Sequence, residues 1–156
     1  MEFEVIYKIH WEKVFRLCMG YVNDRDLAKD IAQETFITVW QQLPKFRNES
    51  SVGTWVFRIA SNHCLRQIER RDKMLKSPFP AEVEDKQLPE KETATAFLYK
   101  CISELDETDR LIISLELEDV RQAEIASIMG MSASAVRVRV HRIKDKLAIK
   151  FKKYGN

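Results

Sequence analysis

The sequence predicts an all-α protein of two small helical domains joined by an acidic, proline-containing linker. Glycine and proline are scarce, with 4 of each among 156 residues, which disfavours a turn-rich all-β fold. Apolar residues recur at three- and four-residue steps, as in amphipathic helices. Prolines and acidic residues interrupt this pattern near the middle of the chain. We therefore expect helical domains over residues 1–74 and 94–156 and a flexible linker over 75–93.

Composition excludes several classes of protein. A hydrophobic fraction of 45% and a net charge of +2 are typical of a globular chain. The 3 cysteines are far apart and lack zinc-ligand spacing, and the 3 histidines are dispersed, so we expect no metal site, no cofactor and no catalytic residues. No apolar run approaches the ~20 residues of a membrane-spanning helix. A cytoplasmic protein without membrane insertion is expected.

Three helices are predicted in the first domain. The apolar periodicity predicts a first helix that ends near Asn23. Asp24 can cap a second helix at about 25–43, and Pro44 ends that helix. A third helix is predicted at about 52–73.

The polar side of the second helix is a candidate protein-docking face. It carries acidic and amide side chains around one apolar residue, Ile37, which helical spacing leaves exposed. A mixed apolar and acidic stripe can pair with a basic partner helix, whereas an ordinary solvated surface is the alternative interpretation. The candidate residues are Asp30, Gln33, Glu34, Ile37 and Gln41.

The third helix carries a polar and basic stripe at four-residue steps. Its members are Arg58, Asn62, Arg66 and Arg70. Phe46, Arg47 and Trp55 add aromatic rings and a further cation nearby. Rings that stack on bases and cations that follow the backbone suit single-stranded nucleic acid, although a solvated helix face is the simpler alternative. Trp55 is either a core residue or a DNA-facing one, and the pattern does not decide between them.

The second domain contains a predicted helix-turn-helix. Two helices are expected first, at about 97–105 and 110–117, with the acidic stretch 106–109 between them. Ala126, Gly130 and Val136 then follow at the spacing of a helix-turn-helix, in which a small residue allows close approach and glycine allows the turn. Either serine in the turn, at position 132 or 134, can cap the second helix.

The last helix is strongly basic, while the segment before it is acidic. In docking of this kind, the second helix of the motif enters the major groove and its solvent-facing side chains read base edges. The base-reading candidates are the residues on the side away from Val136 and Val140. They are Arg137, Val138, His141 and Arg142.

Three motifs occur together in this order. They are Asp30-Ile31-Ala32-Gln33-Glu34-Thr35-Phe36 with Trp40, Phe46-Arg47-Asn48-Glu49-Ser50-Ser51 through Trp55 to Ile59-Ala60-Ser61-Asn62, and the helix-turn-helix ending Val136-Arg137-Val138-Arg139-Val140-His141-Arg142. From about Val5 to Leu147, the chain resembles bacterial RNA polymerase sigma factors of the extracytoplasmic-function group within the sigma-70 family.

This resemblance implies a promoter-specificity factor for core RNA polymerase. The second-helix face would bind the β′ clamp helices, the β flap would be a further contact, and an anti-sigma protein would be an additional partner. Promoter DNA would be bound both as single strand and as duplex. The implied minus-ten residues are Arg47, Trp55, Arg58, Asn62, Arg66 and Arg70, with Asn62 near a flipped base. The implied minus-thirty-five residues are Ser132, Ser134, Arg137, Val138, Arg139, His141 and Arg142.

Two further expectations follow from the resemblance. The family commonly has Gly-Leu-Ser before the first helix of its helix-turn-helix, whereas this chain has Asp119-Val120-Arg121, so Asp119 is expected to supply the missing cap. We also expect the polymerase to be the main determinant of how the two domains are positioned relative to one another.

Two rival functions remain at this point. A stand-alone helix-turn-helix regulator of duplex DNA would explain the second domain, but it leaves the third-helix stripe and the linker without a role. An enzyme acting on nucleic acid would need a carboxylate cluster or an activated nucleophile, and the sequence suggests neither.

Overall fold

The computed structural model describes residues 2–75 and 93–154, and this part of the chain is helical and contains no strand. The all-α prediction is confirmed. The predicted linker lies almost entirely in residues 76–92, outside the described residues. Seven α-helices and one short 3-10 helix (Leu43–Lys45) are described. The α-helices are α1 (Phe3–Val22), α2 (Arg25–Gln42), α3 (Val52–Leu75), α4 (Ala94–Ser103), α5 (Glu107–Leu117), α6 (Gln122–Met129) and α7 (Ala133–Tyr154).

Helices α1 to α3 form the first lobe. Local chemistry sets their ends: Asn23 adopts a left-handed conformation after α1, and the Asp24 carboxylate accepts a hydrogen bond from the Leu27 backbone N–H at the start of α2. Each helix buries one apolar side against the other two. Cys18 of α1 and Cys64 of α3 are free thiols in this core, with their sulfur atoms 3.9 Å apart.

Helices α4 to α7 form the second lobe, in which α6 and α7 make the helix-turn-helix. Asp106 caps α5 by accepting a hydrogen bond from the Asp109 backbone N–H, so α5 begins three residues earlier than expected. The prediction that Asp119 caps α6 is wrong. Asp119 lies in the turn that closes α5, with a φ of 61°, and Arg121 is the residue before α6 and provides no side-chain cap.

The two lobes pack directly on each other. Helix α1 contacts α4 and α5, and α3 contacts α6. Their buried apolar side chains form one continuous cluster. In α5, five consecutive residues from Leu111 to Leu115 are buried, because the helix packs on α7 on one side and on α1 on another. The chain alone therefore fixes a lobe arrangement that we had expected the polymerase to determine.

Candidate interfaces for protein and nucleic acid

The polar side of α2, which we call the α2 face, is exposed as predicted. Its members are Asp30, Gln33, Glu34, Ile37 and Gln41. The opposite side of α2 is buried in the first lobe, which fixes the orientation of this face. Ile37 is 56% exposed, and Trp40, one turn further along, is 63% exposed. We had not assigned Trp40 to this face, although its position three residues after Ile37 indicates the same side of the helix.

A contact with α3 anchors part of the α2 face. The His63 Nε2 atom lies 2.8 Å from the Thr38 hydroxyl, and the Nδ1 atom of the same ring lies 3.8 Å from a Glu34 carboxylate oxygen. Thr38 also donates a hydrogen bond to the Glu34 carbonyl oxygen. Glu34 is therefore held by α3, whereas Ile37 and Trp40 project into solvent as large apolar side chains.

A cavity of about 180 Å³, which we call the loop pocket, lies between the 3-10 helix and the start of α3. It is lined by Lys45, Phe46, Arg47, Glu49, Ser50, Trp55 and Arg58. The Phe46 and Trp55 rings lie 4.6 Å apart, and the Ser51 hydroxyl accepts a hydrogen bond from the Thr54 backbone N–H at the start of α3. Trp55 is thus partly buried against Phe46 and also lines the pocket.

The polar and basic residues predicted on α3, which we call the α3 stripe, have different surroundings. Arg58 lines the loop pocket and donates a hydrogen bond of 2.8 Å to the Ser127 hydroxyl of α6. Asn62 and Arg66 are exposed on the following turns, and Asn62 does not line the pocket. Arg70 lies outside the residues whose side chains the structure describes. The pocket-lining residues that we had not predicted are Lys45, Phe46, Glu49 and Ser50, although Phe46 had been noted as a ring beside the basic residues.

The turn of the helix-turn-helix has the predicted chemistry. Gly130 adopts a φ of 66°, a left-handed conformation that glycine takes without strain, and the N–H groups of Gly130 and Met131 both donate to the Ala126 carbonyl oxygen. The Ser132 hydroxyl accepts a hydrogen bond from the Ala135 backbone N–H and so caps α7, while Ser134 lies within the first turn of α7.

One side of α7 packs on the second lobe through Val136, Val140, Ile143 and Leu147. The other side is the α7 face, which is exposed. It consists of Arg137, Val138, His141 and Arg142, with Val138 47% exposed. Arg139 differs from these residues because its guanidinium group forms a 3.0 Å ion pair with Asp109 at the start of α5. Its predicted DNA contact therefore competes with an intramolecular partner.

Acidic residues of the second lobe pair with part of the basic last helix. Lys144 lies 3.2 Å from Glu116, and Lys150 lies 2.6 Å from Glu104, whose carboxyl pKa is lowered by the hydrogen bond from Lys150. These pairs lie toward the body of the lobe, whereas Arg137 and Arg142 point to solvent. The acidic residues of the second lobe thus hold one side of α7 through ion pairs, while the outer side of α7 stays cationic.

No group of three or more metal-ligating side chains comes together in residues 2–75 and 93–154. Within the same ranges, no helix is both long and apolar enough to cross a membrane.

Most of the chain matches two known protein regions. Residues 6–74 match sigma-70 region 2, and residues 98–147 match sigma-70 region 4. The RNA polymerase sigma-H factor of Pseudomonas aeruginosa is 28% identical over 159 residues, covering 92% of this chain and 82% of the relative. The ECF RNA polymerase sigma factor SigW of Bacillus subtilis is 27% identical over 161 residues, covering 93% of this chain and 86% of the relative.

Solved structures share the fold. The sigma factor RpoE of Bartonella quintana, in complex with the anti-sigma factor NepR, superposes with a TM-score of 0.81 at 19% identity and covers 96% of each chain. CnrH, in complex with the cytosolic domain of CnrY, gives a TM-score of 0.72 at 22% identity over 97% of this chain and 88% of that one. Two sigma-70 regions in order, on a matching helical fold, establish that this chain belongs to the extracytoplasmic-function group of the sigma-70 family and is an alternative sigma factor that directs promoter-specific transcription.

Proposed function

We propose that this sigma factor binds the polymerase and promoter DNA through three separate surfaces. They are the α2 face, the loop pocket with the α3 stripe, and the α7 face. The observation that carries the proposal is their coexistence on one chain: the loop pocket combines rings with cations, and the separate α7 face is cationic and exposed. The proposed domains are residues 1–74 and 94–156, with 75–93 as the linker. The chain itself supplies binding and no catalysis, and it acts in the cytoplasm with the polymerase.

The α2 face binds the β′ clamp helices of core polymerase. Ile37 and Trp40 are the apolar anchors. Large apolar side chains that are exposed in the free protein and surrounded by polar residues are typical of the centre of a protein interface. Asp30 and Glu34 supply complementary charge for a basic partner helix. The β flap is proposed as the partner of the second lobe. An anti-sigma protein is a further proposed partner, supported by the complex of RpoE with NepR.

The loop pocket holds an unstacked base of the non-template minus-ten strand. The Phe46 and Trp55 rings offer a stacking surface, and Arg47 and Arg58 can neutralise phosphates beside it. Extruding a base costs a few kcal/mol of stacking, which binding in the pocket offsets. Asn62, Arg66 and Arg70 continue the strand-binding surface along α3.

The α7 face reads the minus-thirty-five element as duplex. Arg137 and Arg142 can form bidentate hydrogen bonds to guanine, and Val138 can contact a thymine methyl group. Three further residues complete the proposed minus-thirty-five set and lie near the DNA phosphates in this proposal. They are Ser132, Ser134 and Arg139.

Transcription with core polymerase tests this division. We would incubate the chain with bacterial core RNA polymerase on fragmented genomic DNA and map transcript starts. The expected result is a set of specific starts that share a minus-ten and a minus-thirty-five sequence. A chain that binds duplex DNA but yields no polymerase-dependent start would instead be a stand-alone helix-turn-helix regulator.

Trp40→Ala tests the α2 face in the same assay. We expect core polymerase to bind at least about tenfold more weakly, because truncation of an interface tryptophan commonly costs 2 kcal/mol or more. Ile9→Ala removes an exposed apolar side chain from α1, outside the three proposed surfaces, and is the matched control. Equal core affinity for the two variants would exclude Trp40 as an anchor.

A further inference from the structure

Two of the three cysteines meet in the core of the first lobe. The Cys18 thiol on α1 and the Cys64 thiol on α3 lie 3.9 Å apart, in a weak hydrogen bond between sulfur atoms, and both side chains are fully buried. A disulfide needs a sulfur–sulfur distance of about 2.05 Å, so the two atoms must approach by roughly 2 Å. Rotation about the Cα–Cβ bonds moves a sulfur atom by distances of this size.

The thiol pair is part of a continuous contact between α1 and α3. His10 of α1 lies against Gly53 and Phe57 near the start of α3, and Cys18, two turns later, lies against Cys64. The two helices therefore run in the same direction along this contact. A covalent bond between the two sulfur atoms would join residues that are 46 positions apart in the chain.

The thiols are unreactive while α1 and α3 are packed together. The hydrogen bond with Cys64 and burial raise the pKa of the Cys18 thiol, and the thiolate is the form that attacks a disulfide. An oxidant therefore reaches the pair only when the two helices separate locally. His10 Nδ1 and Ser61 Oγ, which lie on these helices, are buried without a hydrogen-bond partner among the described residues. Both atoms become hydrated on opening, which lowers its cost.

Oxidation of the pair by glutathione disulfide is balanced in two steps. The thiolate of one cysteine attacks glutathione disulfide, which forms a mixed disulfide and releases one glutathione. The second cysteine then attacks the protein sulfur of that mixed disulfide and releases the other glutathione. Two protein thiols become one disulfide, and their two electrons and two protons end on the two glutathione thiols. The second step is intramolecular and favoured, because the fold holds the two cysteines in contact.

We propose that Cys18 and Cys64 are a reversible modification site, which a small disulfide of the glutathione type oxidises to an intramolecular disulfide that joins α1 to α3. In a reducing compartment the pair rests as two thiols, and the bond forms when the proportion of glutathione disulfide rises. The bond stabilises the folded first lobe. Because the α2 face and the loop pocket are both built on that lobe, both surfaces stay in place during oxidation.

Mapping of the cysteines after oxidation tests the site. The full chain is incubated with excess glutathione disulfide, quenched in acid, unfolded and alkylated with N-ethylmaleimide, and its peptides are identified by mass spectrometry. We expect one cross-link, which joins Cys18 to Cys64 and leaves Cys101 outside it. Dithiothreitol should return both cysteines to thiols.

Single variants separate the two steps of the reaction. Cys18→Ala and Cys64→Ala each leave one thiol of the pair, which should stay as a mixed disulfide with glutathione because the second step is lost. Cys101→Ala is the matched control, since it removes a buried thiol from the second lobe and should form the same cross-link as the wild type. Circular dichroism checks that each variant is folded, and the map of the wild type does not depend on the variants.

Urea unfolding measures the effect of the bond on the first lobe. Tryptophan fluorescence is the signal, because all 3 tryptophans lie in that lobe. A cross-link that closes a loop of this length disfavours the unfolded chain, so the oxidised wild type should unfold at a urea concentration about 1–2 M higher than the reduced form. Oxidant should not produce this shift in Cys18→Ala or Cys64→Ala, and Cys101→Ala should show it in full.

Two kinds of result would overturn the proposal. A wild-type chain that keeps its thiols, or that carries glutathione without a bond between Cys18 and Cys64, would show that the pair is only a packing contact. A cross-link that leaves the urea midpoint unchanged or lowers it would show that the bond does not stabilise the lobe. Transcription with core polymerase in the presence of dithiothreitol tests the proposed function independently, because the pair is reduced there.

Discussion

Neighbouring side chains on α7 have different roles that depend on where each one points. Arg137 projects into solvent, whereas Arg139, two residues later, is paired with Asp109 thirty positions earlier in the chain. Helical periodicity predicted the exposure of Arg137, Val138, His141 and Arg142. It could not identify the partner of Arg139, because that contact depends on how α5 packs against α7.

Arg137→Ala should relax sequence discrimination. If Arg137 reads a base, its loss costs about 1–3 kcal/mol on the preferred minus-thirty-five duplex and much less on duplexes altered at that base. Anisotropy titrations on single-base variants of the duplex, at several salt concentrations, measure this. Uniform weakening with only a smaller salt slope would assign Arg137 to a phosphate instead.

His10 should make the first lobe sensitive to acid. The ring is half-buried against Phe57, its Nδ1 atom is buried without a partner among the described residues, and burial, with a smaller contribution from Lys13, lowers its pKa below the ordinary 6.5. The unfolded chain therefore takes up a proton at His10 more readily than the folded one, so stability falls as the pH drops through about 6.5. Urea unfolding at a series of pH values should show a shallower acid loss for His10→Leu.

The exposed His141 provides the comparison for His10. The control is His141→Gln, which removes an exposed histidine of α7 and leaves the core of the first lobe unchanged. An unchanged acid profile for His10→Leu would show that other groups cause the loss.

At the scale of elements, the ends of helices decided how well the sequence predicted the structure. Asp24 and Ser132 cap α2 and α7 as expected, because a cap depends only on residues three positions away. The prediction that Asp119 caps α6 was wrong, since Asp119 lies in the turn after α5 and has a left-handed conformation. The loop pocket was predicted only in part. Its shape depends on how the 3-10 helix places Phe46 against Trp55. The periodicity of the sequence does not predict this placement.

Ser132→Ala should destabilise the second lobe by about 1 kcal/mol through loss of the α7 cap. Ser132→Asp keeps a capping oxygen and should retain stability, but it should weaken duplex binding if the serine hydroxyl contacts a phosphate. Urea unfolding and anisotropy on the same variants separate the two roles. Ser134→Ala, which removes no cap, should stay within about 0.5 kcal/mol of the wild type; a larger loss would contradict this account of the turn.

At the scale of the whole molecule, the contact between the lobes was the feature that the sequence did not predict. Arg110, Ser114 and Glu118 lie at four-residue steps, a pattern typical of a solvent-facing row. In the structure this row faces α1, and Ser114 is only 3% exposed. Gly20 supplies the matching gap, but one glycine within a helical pattern does not reveal which surface approaches it.

The shared core predicts a single unfolding transition. All 3 tryptophans, at positions 11, 40 and 55, lie in the first lobe, so tryptophan fluorescence reports on that lobe alone, whereas far-ultraviolet circular dichroism reports on both. In urea, the two signals should coincide for the wild type. For Gly20→Leu they should diverge, because the lobes no longer stabilise each other. Coincident curves for the variant would show that cooperativity does not depend on this contact.

The shared core also bears on how the chain behaves in water if the contact between the lobes is broken. An apolar surface that becomes exposed promotes self-association. The polar row of Arg110, Ser114 and Glu118 can be hydrated at once, but the buried apolar side chains that join the two lobes would be exposed with it. The Gly20→Leu chain should therefore self-associate more readily than the wild type.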